Sequence, residues 1–310
     1  MPLVLVSSKR FVDHVTPVGH PERPERAQVF ERVAKTFDDD GGRVVEPRLA
    51  TDEDLERVHT REHIDAIAST RGRATMIDQD TFTSPDSDDI ARLAAGAVLT
   101  GVDQVLDGPP HSRALVMVRP PGHHAEADRA MGFCLYNNIA VGAAYARSRG
   151  CARVAIVDYD VHHGNGTQWI YYEDPTVLFV SSHQYPFYPG TGAASEKGRG
   201  AGVGFTLNVP LDAGAMDAEI EQKYAQQVMP ALRQFKPDLL MISAGFDAHE
   251  LDPLGQLRMT TEGFRRLTKA LFDVADELCR GRVVLVTEGG YDLSAVSQCL
   301  TAIVESSTPS

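Results

Sequence analysis

The chain has 310 residues, 43% of them hydrophobic and 24% charged, which is the composition of an ordinary globular protein with ample sequence to bury a core. Its formal net charge of −13 argues against a nucleic-acid binder, because phosphate contacts need clustered Lys and Arg. The four cysteines, Cys134, Cys151, Cys279 and Cys299, form no C-x-x-C pair and read as reduced core residues of a cytoplasmic protein; Cys134 stands apart because it follows a glycine-aromatic motif.

In chain order, the apolar run after Met1-Pro2 lacks a basic segment before it and reads as a first strand rather than a secretory leader. Helical periodicity covers 23–37, 88–106, 138–148, 217–235 and 261–279. Short β-branched apolar runs at 114–118, 154–157, 177–180, 239–243 and 283–287 alternate with these helices. Turn-rich patches occupy 38–42, 84–89 and 190–204, and the polar residues 305–310 read as a frayed tail. No apolar stretch approaches transmembrane length and no internal repeat breaks the chain. The pattern predicts one α/β domain over 1–310, with a central, mainly parallel sheet and helices on both faces.

Sheets of that kind bind ligands outside the carboxyl ends of their strands. Five predicted strands run directly into chemically active residues there. They lead to Gly122-His123-His124, to Asp158-Tyr159-Asp160-Val161-His162, to Ser181-Ser182-His183, to Gly245-Phe246-Asp247, and to Glu288-Gly289-Gly290-Tyr291. One such ending would be unremarkable; five predict a single active-site rim. Alternation along an extended backbone turns Asp158, Asp160 and His162 the same way. Asp160, His162 and Asp247 offer two carboxylates and an imidazole, enough to neutralise a divalent ion and leave room for water. The adjacent His123 and His124 supply acid-base capacity near neutral pH. Tyr291, after two glycines, is placed to donate to an oxyanion. Phe133 and Tyr188 would either wall a channel or simply bury their loops.

Those residues carry a family resemblance. The segments Arg119-Pro120-Pro121-Gly122-His123-His124, Gly132-Phe133-Cys134, Asp158 through Gly166, Tyr188-Pro189-Gly190-Thr191-Gly192 and Ala244-Gly245-Phe246-Asp247 occur in the order seen in the histone deacetylase superfamily, which includes acetylpolyamine amidohydrolases. The resemblance extends from His20-Pro21-Glu22-Arg23-Pro24-Glu25-Arg26 to Tyr291 and implies the arginase/deacetylase-like fold.

Carried over residue by residue, it implies Zn2+ on Asp160, His162 and Asp247, with His123 and His124 as the catalytic tandem and Tyr291 polarising the carbonyl. Asp158 would support the His123 ring and, with Ser181 and Ser182, a structural K+. Gly132, Phe133, Tyr188 and Leu254 would line the acyl-lysine channel, and Arg26 an inner cavity. Asn165, where class I members carry Asp, makes the pattern class II-like and leaves open how His123 and His124 divide the base and acid roles. Leu254 in Asp252-Pro253-Leu254-Gly255 replaces the acidic residue of polyamine-selective members.

The expected activity is removal of acetyl or short acyl groups from acyl-lysine, with small acylamines such as acetylpolyamines as the alternative. The carboxylate-rich site would also accept Fe(II) or Co(II). No membrane or nucleic-acid partner is expected, and a homo-oligomer is compatible with the sequence. A silent acyl-lysine binder would have lost a ligand, a tandem histidine or Tyr291, and none is missing. An arginase-like ureohydrolase needs a second ligand set, and a nucleotide enzyme needs a G-x-G-x-x-G turn that no strand precedes.

Overall fold

The computed structural model describes residues 3–307. Eight strands form one parallel sheet in the order β2-β1-β5-β10-β9-β6-β7-β8. They are β1 (Leu3–Val6), β2 (Arg43–Val45), β5 (Arg113–Val116), β6 (Val154–Asp158), β7 (Val177–Gln184), β8 (Thr206–Leu211), β9 (Leu239–Ala244) and β10 (Val283–Thr287). A separate antiparallel pair, β3 (Thr75–Met76) and β4 (Phe82–Thr83), lies outside the sheet.

The inner strands are buried on both faces, and successive residues enter different cores. Leu5, Leu115, Val157, Ile242 and Leu285 pack under α1 (Glu25–Asp39), α8 (Met229–Phe235), α9 (Thr261–Leu278) and α10 (Leu293–Ser307). Val4, Val116, Ile156, Met241 and Val284 pack under α4 (Ser87–Leu106) and α5 (Asn138–Ser148). Two short helices, α2 (Asp52–Leu55) and α3 (Arg61–Ala68), flank α4. The last two, α6 (Asn165–Tyr171) and α7 (Asp217–Lys223), follow β6 and β8.

Differences from the sequence reading have local causes. The helix expected over 217–235 is interrupted by a π turn at Tyr224–Val228, just before Pro230, which has no N–H to bond the carbonyl four residues back. The tail was expected to fray from 305, yet α10 runs to Ser307, whose buried hydroxyl bonds the Ile303 carbonyl at 2.8 Å; 308–310 lie outside the described residues. The edge strands β2 and β8 were missed. Each mixes polar with apolar residues, and β8 carries Pro210, which an edge tolerates. No helix among the described residues is long and apolar enough to cross a membrane.

A buried ion network joins the first loop to the sheet. Both oxygens of Glu22 accept from Arg119, at 2.8 and 2.7 Å, and Oε1 also accepts from Arg26 at 3.1 Å. Burial alone would favour the neutral acid, but Arg119, followed by His14 and Arg26, holds Glu22 far below the usual carboxylate range. His14 lies 3.5 Å from Glu22, yet burial depresses its pKa to about 3, so at neutral pH this contact is a dipole beside a carboxylate and not an ion pair.

His59 is a second buried neutral histidine. Its Nε2 accepts the backbone N–H of Asn137 at 2.8 Å, at the start of α5, and burial holds its pKa to about 3. The unfolded chain therefore binds a proton that the folded chain refuses. Stability from this group is complete above pH 6.5 and is lost as pH falls from 6.5 towards 3. Raised carboxylates elsewhere titrate with the opposite sign, so the comparison has to be differential. Between pH 7.5 and 5.5 the stability gap between the wild type and His59→Asn should move by about 1.4 kcal/mol in favour of the variant. Urea denaturation of both at the two pH values measures it; a pH-independent gap would mean that His59 takes up its proton equally in the folded and the unfolded chain.

Candidate active site

The five strands whose ends carry polar residues, β5, β10, β9, β6 and β7, are consecutive in the sheet. Their carboxyl ends therefore form a continuous edge. Asp160, His162 and Asp247 converge there, with one ligand atom of each within 4.8 Å of the others. His162 Nδ1 is 3.1 Å from Asp160 Oδ1 and 3.2 Å from Asp247 Oδ2. Both carboxylates are fully buried, while His162 leaves 12% of its side chain exposed towards solvent.

Backbone N–H groups aim the carboxylates: Gly289 donates to Asp160 Oδ2 at 2.9 Å and Val161 to Asp247 Oδ1 at 2.9 Å. The electrostatics are those of a site with surplus negative charge. Burial and then Asp160 push Asp247 up to about 7, while against the cost of burial the bonds to Asp160 and Asp247 lift His162 to about 10. Two buried carboxylates and one imidazole nitrogen, all converging on one point, fit a divalent cation.

Behind the cluster stand the two histidines. His123 Nδ1 bonds Asp158 Oδ2 at 2.9 Å, and its Nε2 lies 3.8 Å from Asp160 Oδ2. Burial disfavours a charged ring there, but Asp158 and Asp160 outweigh it and hold the His123 pKa well above its ordinary value. His124 Nδ1 bonds Asn165 Oδ1 at 2.7 Å, and burial, then the neighbouring His123 and His162, hold its pKa well below the usual range. The two rings lie 4.0 Å apart between centroids.

The aromatic residues surround this pair. Gly132 sits at φ +57°, where an added Cβ would lie 2.5 Å from His124 Cδ2, so only glycine allows the loop to press on that ring. Phe133 follows at φ 70°, rare for a bulky residue, and its ring meets Tyr291 edge-on at 5.8 Å. Across the opening, Tyr188 is half exposed and meets His124 at 5.2 Å and His162 at 5.9 Å. The cysteine after Phe133 is not reactive in kind: Cys134 is buried, its thiol faces the Gly132 carbonyl at 3.3 Å, and burial raises its pKa well above normal.

Other expected residues fall in supporting positions. Asp158 and Ser181 are register partners on β6 and β7. The Ser181 hydroxyl bonds His183 Nδ1 at 2.9 Å, and that of Ser182 bonds the Tyr224 hydroxyl at 2.8 Å. Arg26 is fully buried; it donates to the carbonyls of Gly290 at 2.7 Å and of Glu288, and its guanidinium lies 5.3 Å from the Tyr291 ring centroid. Leu254 is half-buried with its N–H on Asp252 at 3.0 Å. It is Asp252, rather than Leu254, that these hydrogen bonds tie to the site, since Asp252 Oδ2 accepts the N–H of Tyr291 at 2.6 Å and of Asp292 at 3.2 Å.

Three further residues escaped the sequence reading. Phe187 stacks on His162 with centroids 5.4 Å apart and planes 14° from parallel. Glu288 Oε2 accepts the backbone N–H groups of Gly122 at 2.7 Å and His123 at 3.1 Å, and Oε1 accepts Ser243 at 3.0 Å. Burial raises the Glu288 pKa to about 7, with His123 pulling it the other way. Glu22 anchors Arg119 at the head of the histidine loop. For Glu288 and Glu22 the available signal was a charged residue at an apolar strand ending or beside a Pro-rich motif, which names no partner, and Phe187 was only one more aromatic in its loop.

The histone deacetylase domain model matches residues 20–307. Histone deacetylase 15 of Arabidopsis thaliana is 41% identical over 293 residues, covering 92% of this chain and 52% of that protein. The histone deacetylase-like amidohydrolase of Pseudomonas aeruginosa is 41% identical over 295 residues, covering 93% of this chain and 76% of that protein. Among solved structures, the HDA15 HD domain superimposes with a TM-score of 0.91 at 37% identity, over 97% of this chain and 90% of that one. The chain spans about half the length of the Arabidopsis protein. It belongs to the histone deacetylase family, and its α/β fold is the one this family shares.

Gly289 supplies a test of the cluster. A Cβ there would lie 2.1 Å from Asp247 Oδ2 and 2.6 Å from Asp160 Oδ2, so Gly289→Ala must displace both carboxylates. Cobalt(II) titration followed by visible absorption should show affinity reduced by about tenfold or more. Unchanged affinity would show that the ion binds elsewhere.

Proposed function

We propose that this chain is a zinc-dependent amidohydrolase that removes acetyl or other short acyl groups from acyl-lysine side chains. The observation that carries the reading is the convergence of Asp160, His162 and Asp247 beside a histidine pair whose two partners differ, one a carboxylate and one an amide. Asp160, His162 and Asp247 would hold the ion, which when bound polarises a carbonyl and makes a water acidic near neutral pH.

The chain's own groups do the remainder. Phe133 and Tyr188 flank the approach and keep water from the lysine stem. The histidine pair takes the proton from the attacking water and returns one to the departing amine. Asp158 holds the His123 ring by its Nδ1–H, fixing both its orientation and its charge. As the carbonyl becomes tetrahedral, the Tyr291 phenol donates to the growing negative charge. Its backbone is held by Asp252 and its ring lies beside Arg26, and burial keeps the phenol protonated by raising its pKa well above normal. Asp158 at the end of β6, with Ser181 and Ser182 beside it within β7, would supply the oxygen donors of a structural K+.

Acyl-lysine is preferred to acetylpolyamine because position 254 is leucine and the carboxylate two residues before it, Asp252, is spent on the backbone of Tyr291 and Asp292. A cytoplasmic location belongs to the same reading.

The test is hydrolysis of an acetyl-lysine peptide and of an acetylpolyamine by metal-stripped protein, before and after zinc is added back. Zinc should restore turnover, with the peptide favoured, and Tyr291→Phe should lower kcat by about 10²-fold or more. Zinc-independent turnover would remove the metal from the reading, a polyamine preference would replace the substrate, and near-normal activity of Tyr291→Phe would reassign the oxyanion donor.

A further inference from the structure

The groups that decide which histidine moves the proton extend one hydrogen bond beyond the pair. An asparagine side chain has a donor end and an acceptor end, so a histidine nitrogen facing it is protonated or not according to which end it meets. Asn165 presents Oδ1 to His124 Nδ1 at 2.7 Å. Its Nδ2 faces Glu126 Oε1 at 2.9 Å, the His124 carbonyl at 3.4 Å and Met131 Sδ at 3.4 Å. An ionised carboxylate and a carbonyl only accept, so the end of the amide facing them must be the nitrogen, and the oxygen must face His124.

Glu126 is itself fixed. Its side chain is only 16% exposed, Arg129 Nη2 donates to Oε1 at 2.8 Å, and its N–H bonds the Arg129 carbonyl at 3.0 Å. Donation therefore runs from His124 through Asn165 to Glu126, which accepts from Arg129 on its other side. At its start His124 carries its proton on Nδ1 and presents an unprotonated Nε2. His123 also has its Nδ1 on an acceptor, but that acceptor is the carboxylate of Asp158, which stabilises a cationic ring. An amide gives no such charge.

We propose that Glu126 is a positioning residue that sets the tautomer of His124 through the amide of Asn165, and so keeps its Nε2 free to accept a proton. The inference rests on the amidohydrolase reading for the proton-accepting role, and on hydrogen-bond polarity alone for the tautomer. It gives a reason for an amide at position 165, since the carboxylate has been moved one residue back along the chain of bonds.

Four variants test it, read by steady-state kinetics and by 15N spectra of histidine-labelled protein. Glu126→Lys puts a donor where the acceptor stood. Asn165 then turns over, its NH2 meets Nδ1, and the His124 proton moves to Nε2. Asn165→Asp sets a second carboxylate against Glu126. Each of these should lower kcat by about tenfold or more with little change in KM. In the Glu126→Lys/Asn165→Asp double variant the new carboxylate accepts from both neighbours, so kcat should recover above both single variants and the 15N pattern should return to Nδ1–H. Glu126→Gln keeps an acceptor oxygen and should recover most of what Glu126→Lys loses. A structural role for Glu126 would not produce this reciprocal rescue.

Wild-type kcat in Glu126→Lys with an unchanged His124 spectrum, or a double variant no better than the worse single one, would overturn the proposal. If the wild-type protein hydrolyses no acyl amine, the amidohydrolase reading fails, and the 15N pattern still decides the tautomer by itself.

Discussion

The buried carboxylate of Glu22 is the interaction on which the site's geometry depends. It neutralises two guanidinium groups that leave in different directions. Arg119 reaches the carbonyls of Phe11 and His14 and begins the loop that carries His123 and His124. Arg26 reaches the carbonyls on either side of Gly289 and lies beside Tyr291. Glu22 thus fixes the histidine loop and the tyrosine loop relative to one another, although it hydrogen-bonds to none of the His123, His124 and Tyr291 side chains. A network of this kind adds little net stability compared with apolar packing, but removing one member strands the others without compensation, at about 3–5 kcal/mol.

Around that anchor the site is assembled mainly from buried carboxylates with distinct tasks. Asp160 and Asp247 converge with His162 on the proposed ion site, Asp158 holds His123, Glu288 grips the backbone of the histidine loop, and Asp252 grips the backbone of Tyr291. The last two act through N–H groups rather than through charge on the substrate. This arrangement lets the sheet edge stay strongly acidic around Asp160 and Asp247 while His123 and Tyr291 are steered from behind.

Much of this was legible in the sequence because a parallel sheet collects its strand ends on one edge. Five apolar runs, each ending in a polar residue, were enough to place His123, Asp160, Asp247 and Tyr291 together, but period-two alternation does not orient Asp160 with His162, because β6 ends at Asp158 and both residues lie in the bend that follows. What the sequence did not show was partnership. Nothing in the run before Gly289 says that Glu288 points back at Gly122, because that contact spans 166 residues. Edge strands β2 and β8 were missed because they pair on one side only and need not be apolar throughout. The break in the 217–235 helix was readable from Pro230, but its form as a π turn depends on packing against β7 through Tyr224 and Ser182.

The bond from Asp252 to Tyr291 has a consequence for how such sites diversify. Asp247 and Asp252 belong to one loop and Tyr291 to another, yet a shared carboxylate makes the two loops a single mechanical part. A segment transplanted from a relative after β9 alone would arrive with its ion ligand intact and its grip on the neighbouring loop mismatched. The smallest exchangeable unit on this sheet edge is therefore the pair of loops after β9 and β10, moved together.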